Sequence, residues 1–186
     1  MHRPTKKDLQ EAAGRDVPDV LAHGLDVLFC GINPGLYSGA TGHHFARPGN
    51  RFWPALAGAG FTDRQLDPAE EHRLIDAGCG ITNLVARATA AAAELENDEL
   101  ARGRKSLQRK LRRYEPRWLA VLGIGAYRTA FGRRDAHFGE QPERLGSIGL
   151  WVLPNPSGLN AHYQIPDLIR LFGELRAAVS ATTTRH

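Results

Sequence analysis

Four short apolar segments punctuate this chain: Val27–Cys30, Gly80–Val85, Trp118–Leu122 and Leu150–Leu153. None alternates cleanly between apolar and polar residues, a pattern that predicts strands buried on both faces, as in a parallel sheet. Between them the periodicity becomes helical. Thr62 with Gln65 reads as a capping box opening a helix through about Ala77. Asn97 reads as the cap of a second helix, on which Leu100, Leu107, Leu111 and Tyr114 share one face. Leu168, Ile169, Leu171, Phe172 and Leu175 form the apolar stripe of a last helix. Strands alternating with helices predict an α/β domain, a three-layer α/β/α sandwich with right-handed crossovers.

At 186 residues the chain is long enough for one domain with a sizeable core. The expected division is a peripheral N-terminal segment over 1–20, a single domain over 21–179 and a flexible tail over 180–186. Ala90–Ala93 is a short low-complexity patch expected in a loop or at a helix start. No apolar run approaches the roughly 20 residues that span a bilayer. Met1–Arg15 lacks the apolar stretch of a secretory signal. Cys30 and Cys79 sit in apolar runs and read as reduced core thiols. These features predict a cytoplasmic protein with no membrane contact.

The net charge is +4, from 24 Lys and Arg against 20 Asp and Glu, which suits a polyanionic partner without requiring one. Arg102, Arg104, Lys105, Arg109, Lys110, Arg112 and Arg113 are concentrated in one predicted helix. A solvated helix face and a phosphate-attracting surface both fit that cluster.

The candidate chemistry lies where strands end. The first strand runs into Gly31-Ile32-Asn33-Pro34-Gly35, and the last into Pro154-Asn155-Pro156-Ser157-Gly158-Leu159. Two Asn-Pro loops at strand ends, far apart in sequence, predict one site at the carboxyl edge of the sheet. The first loop lacks the Lys-Ser or Lys-Thr of a phosphate-binding loop. Asn33 then reads either as a local Asx turn or as a side chain with a chemical task. Asn83, near the end of the second strand, carries an amide whose donor and acceptor suit the edge of uracil. Phe45 follows flexible glycines, where a ring can stack on a flat ligand. Leu159 reads as a core plug or as a wedge for a base stack. No arrangement of His and Cys resembles a metal or cluster site.

Together, Gly31–Gly35, Gly42–Pro48, Asn50-Arg51-Phe52-Trp53 and Asn155–Leu159 resemble the mismatch-specific uracil/thymine-DNA glycosylases. The resemblance spans roughly Leu25–Val179. It implies a short, mainly parallel sheet and a monomeric, monofunctional enzyme without metal or organic cofactor. Its partner would be double-stranded DNA containing uracil or a mismatched or damaged pyrimidine. The enzyme would flip the base out and hydrolyse its N-glycosidic bond, with a preference for uracil opposite guanine.

By position, the resemblance implies that Asn33 holds the attacking water and that Phe45 stacks on the base. Ile32, Gly35, Tyr37, Ser38 and Asn83 would complete the base pocket, with Tyr37 and Ser38 near C5. Asn155 and Ser157 would lie in the loop beside the abasic sugar, with Asn160 and His162 following in the DNA-facing segment. Leu159 would fill the hole left in the stack, and the backbone of Gly158 would read the widowed guanine.

Three departures from the family pattern stand out. Ala161 stands where the bacterial prototype has an arginine contacting the opposite strand, Tyr37 replaces a small residue, and Ala90–Ala93 falls where relatives carry mixed polar residues, with Glu94 alongside. Two rival functions share the architecture: a hydrolase of free nucleosides or nucleotides, and a noncatalytic mismatch binder.

Overall fold

The computed structural model describes residues 3–183. Five strands form one sheet: β1 (Val27–Gly31), β2 (Cys79–Asn83), β3 (Trp118–Leu122), β4 (Gly139–Leu145) and β5 (Ile148–Leu153). Their order is β2-β1-β3-β5-β4. All neighbours are parallel except β4, which pairs antiparallel with β5 at one edge. The apolar runs account for β1, β2, β3 and β5. The sequence reading missed β4 because Gly-Glu-Gln-Pro-Glu-Arg-Leu is mostly polar; it is an edge strand, largely exposed or half-buried.

The lack of alternation in the apolar runs has a direct cause. Val27 and Phe29 pack into one core with Phe52, Trp53 and Phe172. Leu28 and Cys30 point the other way, into a second core with Leu107, Leu119 and Tyr127. Successive side chains of one strand thus reach two apolar layers. Helices α3 (Phe52–Gly58) and α6 (Ile165–Thr183) cover the first face. Helices α4 (Asn97–Tyr114) and α5 (Ile124–Phe131) cover the second. Helices α1 (Lys6–Glu11) and α2 (Leu36–Thr41) lie against each other. Chain reversal between β1's neighbours β2 and β3 puts a topological switch point at the carboxyl ends of these strands, where α/β sheets bind ligands.

Several expected boundaries move. The helix expected from Thr62 is a 3-10 helix that starts only at Pro68, and Thr62 instead donates its hydroxyl to the Arg64 carbonyl. A residue before proline avoids helical torsion angles, so Asp67 must be a cap, and its carboxylate accepts the Ala69 N–H. The cap of α4 is Glu96 rather than Asn97, and its N–H donates to Glu99. Within 1–20, Ala12, Val17 and Val20 are buried, and Val20 bridges to Ile81. Helix α6 continues through Thr183, so 180–183 are helical; the rest of the expected tail, 184–186, lies outside the described residues. Among the described residues no helix is long and apolar enough to cross a membrane.

Candidate active site

The loops that follow β1, β2 and β5 enclose a cleft of about 430 Å³ at the carboxyl edge of the sheet. That volume suits a small planar ligand. The loop after β1 is stitched to the segment after β2, with Leu84 N–H donating to Gly31 O, Val85 to Ile32 O and Thr89 to Pro34 O at 2.9–3.1 Å. Ile32, Asn33, Gly35, Tyr37 and Ser38 therefore reach the cleft from a braced loop and the start of α2.

Asn33 does not form the local turn that its Asn-Pro context suggests. Its Nδ2 lies 2.7 Å from Thr89 Oγ1, 3.0 Å from Arg87 O and 3.1 Å from Pro34 O. Two of these partners are carbonyls, which fixes the nitrogen on that side. Thr89 in turn donates its hydroxyl hydrogen to Ala91 O at 2.9 Å, so it must accept from Asn33. Among the described residues no donor meets Asn33 Oδ1, and the residue lines the cleft. The result is an immobilised amide with its acceptor left over.

Thr89 escaped the sequence reading. The available signal was contrast, because it is the single hydrogen-bonding side chain in Ala88–Ala93. Glu94, beside that run, spends a carboxylate oxygen on Ala91 N–H at 2.9 Å and does not line the cleft.

Phe45 adopts a left-handed backbone conformation (φ 52°), which costs a non-glycine residue about 1 kcal/mol. Its ring stacks on Phe52, centroid to centroid 4.2 Å, and lines the cleft. Ser38 Oγ accepts the Ala46 N–H, tying α2 to the residue after Phe45. Asn83 is buried opposite, with its Oδ1 directly over Gly31; a Cβ there would sit 2.4 Å from that oxygen. Gly31 thus makes room for the amide.

The Asn83 amide is oriented by His44, a second residue the sequence reading left without a task. Asn83 Nδ2 lies 3.4 Å from His44 Nδ1, and His44 Nε2 lies 2.9 Å from Pro18 O. A carbonyl at Nε2 requires the proton there, leaving Nδ1 as the acceptor. Burial holds the His44 pKa below its usual value, consistent with a neutral ring. The Glu71 carboxylate accepts the His44 N–H at 2.8 Å and lies 3.0 Å from His43 Nδ1.

From β5, Asn155, Ser157 and Leu159 reach the cleft, whereas Gly158, Asn160 and His162 belong to the same loop but do not line it. Asn155 Oδ1 accepts the Ser157 N–H, and Ser157 Oγ accepts the Leu159 N–H. Leu159 is 76% exposed at the tip, which excludes a core plug.

The electrostatics of the cleft are one-sided. Among its described lining residues there is no carboxylate and no lysine, and Arg47 is the sole permanent cation. The cysteines lie elsewhere; burial raises both thiols to about 12, so they stay protonated. In α4, Arg102, Lys105, Arg109, Arg112 and Arg113 are exposed, while Lys110 turns inward to Asp19.

The sequence model of the Uracil DNA glycosylase superfamily matches residues 18–176. The chain belongs to the uracil DNA glycosylase superfamily. The fold agrees with that membership. It resembles the solution NMR structure of a candidate uracil DNA glycosylase from Methanosarcina acetivorans with a TM-score of 0.59 at 17% identity, over 88% of this chain and 98% of that one. Membership supports a uracil-DNA glycosylase role for this chain, that of a hydrolase in DNA repair.

Proposed function

We propose that this chain is a monofunctional, mismatch-specific glycosylase that excises uracil, preferentially opposite guanine, from double-stranded DNA. The observation that carries this reading is Asn33: its nitrogen is fixed by Thr89 and Arg87, and among the described residues its oxygen meets no donor and the cleft lining holds no carboxylate.

A carboxamide oxygen can orient water but is a poor base, so the chemistry must be dissociative. The C1′–N1 bond breaks, and its electron pair leaves with the uracil ring. Water held by Asn33 then adds its oxygen to the oxocarbenium-like C1′, and its proton passes to solvent or to the departing base. A cleft whose described lining holds one permanent cation and no carboxylate favours the anionic leaving group and the phosphates around it. With no lysine among its described lining residues, the cleft offers no Schiff-base nucleophile there, in keeping with hydrolysis without strand cleavage.

Phe45 stacks on the extruded base. Asn83 presents Oδ1 and one N–H to its edge, and Tyr37 and Ser38 border C5. The exposed Leu159 fills the vacated stack, while Asn155, Ser157, Asn160 and His162 shape the loop beside the sugar–phosphate. The Gly158 backbone faces the widowed guanine. Flipping costs a few kcal/mol and least at a mispair, which favours U opposite G before any direct contact. Ala161 offers no arginine to the opposite strand, so the preference for guanine rests on that flipping cost and on the Gly158 backbone.

Incubating uracil-containing duplexes with each opposing base, followed by alkaline cleavage of abasic sites, tests the reading. We expect fastest excision opposite guanine. Release of uracil from deoxyuridine but not from DNA would replace the proposal with a nucleoside hydrolase. Tight mismatch binding without excision would replace it with a noncatalytic binder.

A further inference from the structure

The loop that carries Leu159 is organised around a side chain from elsewhere in the chain. Arg51 stands at the start of α3, and its backbone N–H donates to Pro156 O at 2.8 Å. Its Nη1 lies 2.7 Å from Asn160 O, 2.7 Å from Tyr163 O and 3.4 Å from Ser157 O. Its Nη2 lies 3.3 Å from Gly158 O. Four loop carbonyls, two before Leu159 and two after it, thus converge on one guanidinium. The neighbouring Gly49 O would be only 2.5 Å from a Cβ at Gly158, so the two loops touch backbone to backbone.

We propose that Arg51 is the positioning residue for the wedge: its guanidinium pre-forms the 156–163 loop so that Leu159 projects toward duplex DNA before DNA arrives. The inference rests on the glycosylase reading above.

The physical argument is one of ordering. An exposed apolar side chain on a slack loop would have to be immobilised on binding, which costs affinity. Here the charge-assisted bonds to the carbonyls meet that cost during folding. A planar fork with five N–H groups can serve divergent carbonyls, whereas a lysine ammonium has three donors on a flexible stem. Arg51 touches neither the base pocket nor the cleft wall, so it acts through the loop alone.

The test is a double-mutant cycle on a G:U duplex under single-turnover conditions, paired with a spin label at position 159. Arg51→Ala should slow excision about tenfold or more, and Leu159→Ala should slow it comparably. The double variant should be no slower than the worse single one, because both remove the same wedge. Multiplying effects would show that Arg51 serves general stability and would overturn the proposal. Arg51→Lys should fall between the wild type and Arg51→Ala.

For the label, Leu159→Cys offers a reactive thiol against Cys30 and Cys79, which are buried and protonated. The label should be restricted with Arg51 present and mobile with Arg51→Ala, in the absence of DNA. Equal mobility in the two backgrounds also overturns the proposal. A wild-type protein that excises no uracil would sink the glycosylase reading instead, while label mobility would still decide whether Arg51 holds the loop.

Discussion

The two Asn-Pro loops use the same dipeptide in opposite ways. Asn155 satisfies its side-chain oxygen locally, on the N–H of Ser157 two residues on, and so shapes its own loop. Asn33 satisfies its nitrogen at long range, on Arg87 O and Thr89 Oγ1 in the segment after β2, and keeps its oxygen. The Asx turn that an Asn before Pro suggests is therefore realised at one site and refused at the other. The difference lies in what stands beside each loop. The turn after β1 runs alongside the 84–89 segment and finds a hydroxyl and a carbonyl there, whereas the Asn155 side chain meets an N–H of its own loop, whose carbonyls turn to Arg51 instead. The same local motif keeps its oxygen in reserve only where the rest of the fold takes up the nitrogen of its amide.

Substitution at the two asparagines gives the sharpest way to break this contrast. Asn33→Ala should lower single-turnover excision on the order of 10²-fold or more, with binding of uracil-containing duplex nearly intact. An unchanged excision rate would remove Asn33 from the chemistry. Thr89→Val, close to isosteric, takes away the acceptor that fixes Nδ2 and should slow the same step about tenfold. If the rate holds while Asn33→Ala fails, Arg87 O and Pro34 O suffice to hold the amide.

Asn155→Ala removes only a turn bond, whose net worth is about 1 kcal/mol, so a loss of roughly fivefold is expected. It should appear as weaker binding of duplex more than as slower chemistry. A loss equal to that of Asn33→Ala would erase the distinction between the loops.

The smallest effect concerns Asn83, whose nitrogen meets His44. Burial lowers the His44 pKa in the folded protein, so the unfolded chain binds a proton first as pH falls. This contribution to stability is present above the ordinary histidine value of 6.5 and declines as pH drops below it toward the folded value. The slope is at most about 1.4 kcal/mol per pH unit. Urea midpoints between pH 7.5 and lower pH should fall for the wild type and fall less for His44→Gln. Parallel curves would place the proton elsewhere.

Much of this architecture could be read in the chain. The apolar runs at Val27, Trp118 and Leu150 mark strands because a parallel strand needs apolar residues on both faces. The stripes of α4 and α6 mark helices because 3.6-residue periodicity leaves one face for the core. The Asn-Pro loops were legible as strand ends, and the structure puts both on one cleft. Strand β4 was not legible, since an edge strand facing water has no obligatory apolar pattern. Nor was the late start at Pro68, where a proline's restriction on Asp67 outweighed the Thr62–Gln65 spacing.

Thr89, His44 and Arg51 show the limit most clearly. Each acts on a residue or loop distant in the sequence: Thr89 on Asn33, His44 on Asn83, Arg51 on the Leu159 loop. Residue types and short-range spacing, both properties of neighbours along the chain, settled the layers, the strand ends and the amides available there. Which atom of each amide was tied down, and which was left for a ligand, was decided by groups brought near in space. Hydrogen bonds are satisfied by proximity, and the separation of partners along the chain does not predict it.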